Sequence, residues 1–170
     1  FFFFASSSSF LLLLLLLLLL LLLSSFLTGT PKPAYRAFQL LRAAGNQRAA
    51  VHGAPHSQCP DVGVLATRNA TSALLFVYNH QLSGQPGTEC TVTLNLSGAA
   101  VKPGSASLCR IDANNTNPKA AYIAMGSPPY PTAAQLATLE AASALHWTPL
   151  PSLSVTLGGH SLAVIAVALS

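Results

Sequence analysis

The sequence predicts a mainly β chain, an antiparallel β-sandwich with a helix-loop-helix inserted into it. Three observations predict this. Short apolar runs recur between Val62 and Leu169, separated by turn residues such as Gly, Pro, Asn and Ser. Residues 114–145 interrupt that rhythm with helical spacing and capping residues. Gly158-Gly159 stands between the last two runs, where it reads as a hairpin turn.

The elements follow in order. Thr30 is placed to cap a first helix with Pro31 at its first position and Gly45 just past its end. Ala34, Tyr35, Phe38, Leu41 and Arg42 recur at helical spacing, so this helix is expected to bury an aromatic face. Residues 49–60 are rich in Pro, Gly and His and read as a loop leading to the next unit. Val62, Val64 and Ala66 alternate as in a strand, and Ser72 to Asn79 is a continuous apolar strand. After a loop at 81–89, Val92, Leu94 and Leu96 alternate again. Ala106 to Asp112 is a fourth strand.

The helical insertion is the most informative stretch. Asp112 and residues 114–117 suit a turn, because short polar side chains bond to their own backbone. Pro118 opens a short helix, and Gly126 with Pro128 and Pro129 ends it. Thr132 and Gln135 form a T-x-x-Q capping box for a second helix, whose Leu136, Leu139, Ala142 and Ser143 share one face. His146 to Ser152 is a connector, and Leu153 to Leu157 and Ser161 to Leu169 complete the strands.

Three blocks in this order resemble glycoside hydrolase family 39, the β-xylosidases and lysosomal α-L-iduronidases. The first is Lys32-Pro33-Ala34-Tyr35-Arg36-Ala37-Phe38-Gln39-Leu40-Leu41, similar to the helix that closes the family's catalytic barrel. The second is Val62-Gly63-Val64-Leu65-Ala66-Thr67, similar to the strand that follows. The third comprises Ile111, Asp112, Asn117, Met125, Gly126, Ser127, Pro128, Pro131, Thr132, Gln135, Leu136 and Leu139. The resemblance implies a C-terminal region in which the last helix of a missing (β/α)8 barrel precedes a β-sandwich. It divides the chain into a leader at 1–29, a barrel helix at 30–48 and a sandwich at 49–170 with its helical insertion at 114–145.

Composition limits the chemistry. Charged residues are only 7% of the chain, against about a quarter in ordinary globular proteins. The net charge of +4 is scattered, without basic runs or interleaved aromatics, and so leaves no nucleic-acid footprint. A retaining glycosidase needs two carboxylates about 5–5.5 Å apart. The resemblance implies that both are barrel glutamates, one in an Asn-Glu-Pro context. Here the acids are Asp61, Glu89, Asp112 and Glu140, and no Asn-Glu-Pro occurs. Asp112 reads as a turn former, Glu140 as a solvated helix residue and Glu89 as a loop residue. The expectation is that no catalytic, cofactor-binding or metal-binding residue lies in this chain, and that the chemistry needs no cofactor.

The remaining candidates are modest. Asn69, Asn95 and Asn114 each begin an N-glycosylation sequon, and together they suggest a secretory, lysosomal or extracellular route. Cys59, Cys90 and Cys109 are an odd set that allows either one internal bridge or three unpaired thiols. His52, His56 and Cys59 have a spacing that could touch a metal, without a fourth ligand. Tyr130 and Trp147 flank the second helix, either as sugar-stacking platforms or as packing residues. Residues 1–27 contain Phe, Ser and Leu homopolymers, the three frames of one pyrimidine trinucleotide repeat. They read as an artefact of gene prediction, a secretory signal or an anchor; residues 10–27 are long enough to reach across a bilayer. The expected function is a non-catalytic accessory part of a glycosidase acting on xyloside or iduronide bonds. Its partners are the barrel of the same parent chain and, through that parent, carbohydrate; a membrane joins them only if the leader is real. A free carbohydrate-binding module and a membrane-anchored adhesion fragment are the alternatives.

Overall fold

The computed structural model of the chain describes residues 29–53, 59–80, 88–98 and 100–170. Residues 1–28 of the leader expected at 1–29, with its candidate membrane stretch, and His56 lie outside the described residues. Helix α1 spans Pro33–Arg42, α2 Pro118–Ala124 and α3 Ala133–Ser143. The strands are β1 (Gln47–Ala49), β2 (Val62–Arg68), β3 (Ser72–Asn79), β4 (Cys90–Thr93), β5 (Ser107–Ile111), β6 (Trp147–Pro149), β7 (Ser154–Leu157) and β8 (Ser161–Ala168). Among the described residues all strand pairings are antiparallel and fall into two sheets, a large one in the order β1-β2-β3-β8-β5-β6 and a small one of β4 and β7. The expected antiparallel sandwich with a helical insertion is therefore what the chain forms, with unequal halves.

Side-chain alternation explains both layers. Leu75 and Val77 of β3, Leu108 of β5, and Ala163, Ile165 and Val167 of β8 pack with Val155 and Leu157 of β7. The intervening residues Phe76, Cys109, Ile111 and Val164 face the other way and pack with Leu40 of α1. Because both faces of the large sheet are covered, β3 and β8 read as nearly continuous apolar runs rather than alternating ones. The small sheet is too short to stand alone. A disulfide between Cys59 and Cys90 fastens β4 to the chain entering β2. Asn79, 1% exposed, adds a polar tie, its Nδ2 donating to the Thr88 carbonyl at 2.9 Å and the Leu157 carbonyl at 3.4 Å.

Several local expectations change. Helix α1 begins at Pro33, with Lys32 as N-cap and no side-chain cap; Thr30 is 5% exposed and stands outside the helix. Gly45 is not part of the helix end either. Its N–H donates to the Thr67 hydroxyl at 3.1 Å, and a Cβ there would run into the backbone of Arg68. Strand β4 stops at Thr93, although the Leu94 N–H still reaches the Leu153 carbonyl at 2.8 Å. The connector at 146–152 contains an edge strand, β6, paired to β5. Gly158-Gly159 is no hairpin turn: β7 belongs to the small sheet and β8 to the centre of the large one. The turn passes between layers, with the Ser161 hydroxyl donating to the Gly158 carbonyl at 2.5 Å.

The insertion follows its sequence signals closely. Both Asp112 oxygens accept from Asn115 Nδ2, and Oδ1 also accepts the N–H groups of Asn114 and Asn115 at 2.8 Å. Asn117 caps α2 by accepting from the Lys119 N–H. That helix closes with Gly126 at φ +85°: the Gly126 N–H bonds to the Ile123 carbonyl and the Ser127 N–H to the Tyr122 carbonyl, a Schellman ending. Thr132 and Gln135 make both bonds of the capping box. Leu139 and Ser143 are the buried residues of α3.

Candidate functional site

The most distinctive surface is on α1. Its inner face is fixed: Leu40 is buried against Phe76 and Val164, with Ala37 and Ala44 beside it. Arg36 extends that anchorage, donating from Nε to the Ser143 carbonyl at 2.9 Å and from Nη2 to the Ser143 hydroxyl at 3.2 Å. This ties α1 to the end of α3. The outer face carries Tyr35, Phe38 and Leu41, which are 39%, 55% and 40% exposed. The expected burial of the aromatic face is thus reversed within the described residues, because the smaller opposite face fits the sheet. The periodicity found an apolar stripe, but two stripes share this helix and only packing distinguishes them.

Several clefts lie among the described residues. One of about 400 Å³ lies between the helix pair and the β5–β6 edge, walled in part by Arg110, Asn114, Asn117, His146 and Thr148. Another of about 510 Å³ runs between the start of α1 and the helix pair, past Pro33, Pro118, Tyr122, Pro128 and Leu139. Two more, about 660 and 610 Å³, flank the β2–β3 turn and the segment after β4. No carboxylate lies in the wall of any of these four clefts. Asp61, Glu89 and Glu140 are exposed, on separate elements, and the Asp112 carboxylate is engaged in its turn. Arg110, the cation of the first cleft, already donates to the Thr156 carbonyl at 2.8 Å.

The other candidates separate. Cys59 is bonded to Cys90 and is no metal ligand, while His52 is exposed. Among the described residues no group of three His, Cys, Asp or Glu side chains is gathered as a metal site. Cys109 is the free thiol, 0% exposed, and burial pushes its pKa up against a smaller opposing effect of a backbone hydrogen bond from His146. Tyr130 is 85% exposed beside α3, and Trp147 is 43% exposed on the edge strand β6. Asn69 lies in the β2–β3 turn, Asn95 is exposed after β4, and Asn114 is in the turn after β5. Sequence reading missed the Arg36–Ser143 tie, since the two residues stand 107 positions apart.

Fold and surface together define a sandwich unit carrying a helical hairpin and one uncovered apolar helix face. Comparison with known proteins makes the assignment specific. The sequence profile of glycosyl hydrolases family 39 matches residues 23–150. The chain belongs to that family. It is 32% identical over 117 residues to a β-xylosidase of Caldicellulosiruptor saccharolyticus, covering 69% of this chain and 23% of that protein. Among solved structures, a monomeric β-xylosidase from Caulobacter crescentus superposes with a TM-score of 0.59 at 20% identity, over 82% of this chain and 31% of that one. A bacterial orthologue of human α-L-iduronidase gives 0.60 at 23% identity, over 83% and 28%. The chain therefore spans about a quarter to a third of the length of these relatives.

Proposed function

We propose that this chain is the non-catalytic sandwich portion of a retaining glycosidase that acts on xyloside or iduronide bonds, and that it supports the catalytic barrel of its parent. The observation that carries this reading is the two-faced helix α1: one side is anchored to the sandwich through Leu40 and Arg36, and the other presents Tyr35, Phe38 and Leu41. A stripe of that kind on a secured helix suits a partner surface that removes it from water. The scattered carboxylates support the non-catalytic part, since hydrolysis with retention requires a close pair. The two glutamates, the sugar contacts and the choice of substrate then belong to the barrel.

The route through the cell is part of the same proposal. Disulfides persist in oxidising compartments, and the Cys59–Cys90 bridge supports secretory, lysosomal or extracellular placement. No helix among the described residues is long and apolar enough to cross a membrane. The test is direct. The purified chain is incubated with nitrophenyl β-xyloside and with a fluorogenic α-L-iduronide, and no release above the buffer control is expected. Turnover that survives repurification would overturn the non-catalytic assignment.

A further inference from the structure

The structure distinguishes the sequons. Asn69 is exposed at the tip of the β2–β3 turn, and its Oδ1 accepts four hydrogen bonds: from the Thr71 N–H at 2.9 Å, the Thr71 hydroxyl at 3.3 Å, the Ser72 N–H at 2.8 Å and the Ser72 hydroxyl at 3.0 Å. The sequon's hydroxyl is thus already folded back on the asparagine it must accompany. Among the described residues the bonds to the side-chain amide all fall on Oδ1, and Asn69 is an exposed residue. Every donor is within three positions, so the arrangement forms from local sequence and does not wait for the sheets. Asn114 differs. Its Thr116 is 4% exposed, and the hydroxyl donates to the Arg110 carbonyl at 2.8 Å and the Ala144 carbonyl at 3.2 Å, away from Asn114.

We infer that Asn69 is a carbohydrate attachment site, modified on Nδ2 by an N-linked glycan. In the transfer, Nδ2 attacks the anomeric carbon of an oligosaccharide carried on a lipid diphosphate. The carbon–nitrogen bond forms as the bond from that carbon to the phosphate oxygen breaks. The electron pair leaves with the lipid diphosphate, and one amide proton passes to a carboxylate base of the transferring enzyme. The four donors on Oδ1 stabilise the negative charge that gathers there as the nitrogen loses its proton. The folded sheet then holds the sugar in solvent at the hairpin tip, where no buried contact has to be displaced.

This inference rests on the secretory placement proposed above, and the experiment separates the two. The full-length protein is purified from the cells that make it, alkylated without reduction, and mapped by peptide mass spectrometry before and after glycan release in heavy-oxygen water. Expected are the isotope-tagged aspartate at position 69 and an intact Cys59–Cys90 peptide. Thr71→Ala, which removes the sequon but keeps Asn69, should abolish the tag. An oxidised bridge with unmodified Asn69 would overturn the glycan while sparing the secretory reading. Reduced cysteines with no sequon occupied would overturn both, and a glycan at Asn114 in place of Asn69 would reject the geometric argument.

Discussion

Cys109 shows how much a single position depends on its surroundings. In sequence it is one of three equivalent cysteines; in the fold it lies fully buried on the α1 side of the sheet, and Cys59 and Cys90 are the pair. Iodoacetamide should leave the native thiol untouched and label it after guanidinium unfolding, as read by intact mass. Because burial holds the folded thiol above the ordinary range, rising pH draws the proton from the unfolded chain first. Stability present below the ordinary thiol range is lost progressively as pH climbs through it toward the folded value. Thermal melts against Cys109→Ala should show the wild type falling relative to the variant over that alkaline window. Asp112, Thr132 and Gln135, by contrast, were legible from sequence, since their partners lie within three residues.

At the scale of elements, the small sheet is the vulnerable one. Among the described residues strands β4 and β7 pair with each other, and apolar packing, the Cys59–Cys90 bridge and hydrogen bonds from Asn79 and Arg110 to β7 carbonyls hold them to the large sheet. A bridge closing a loop of this size, with partners 31 positions apart, contributes about 3–4 kcal/mol through the unfolded state. Replacing both cysteines with alanine should lower urea-unfolding stability by about that much, and added reductant should no longer affect the variant. An unchanged midpoint would show that β4 is secured without the bridge. Sequence located the longer strands but not the three-residue edge strands β1 and β6, and it misjudged the connection at Gly158-Gly159, because a glycine pair reports a reversal and not the layer into which the chain returns.

Across the whole molecule, helix α1 joins two environments. Leu40→Ala should cost about 2–5 kcal/mol, since it opens a cavity against Phe76 and Val164. Phe38→Ser, on the exposed face, should change the stability of the isolated chain by no more than about 0.5 kcal/mol. Its effect belongs to association: the wild-type chain should self-associate with concentration in light scattering, and the Phe38→Ser chain should remain monomeric to higher concentration. Equal behaviour of the two would remove the docking role of this face.

The sequence by itself determined the antiparallel sandwich, the turn at Asp112 and the capped helix pair, because each rests on periodicity or on bonds between near neighbours, and three motif blocks in order carried the resemblance to the family. Tertiary structure alone decided which cysteines pair, which face of α1 is buried, and that β8, from the end of the chain, forms the centre of the large sheet between β3 and β5. Those outcomes depend on which surfaces meet across long stretches of chain, and local spacing carries no record of that meeting.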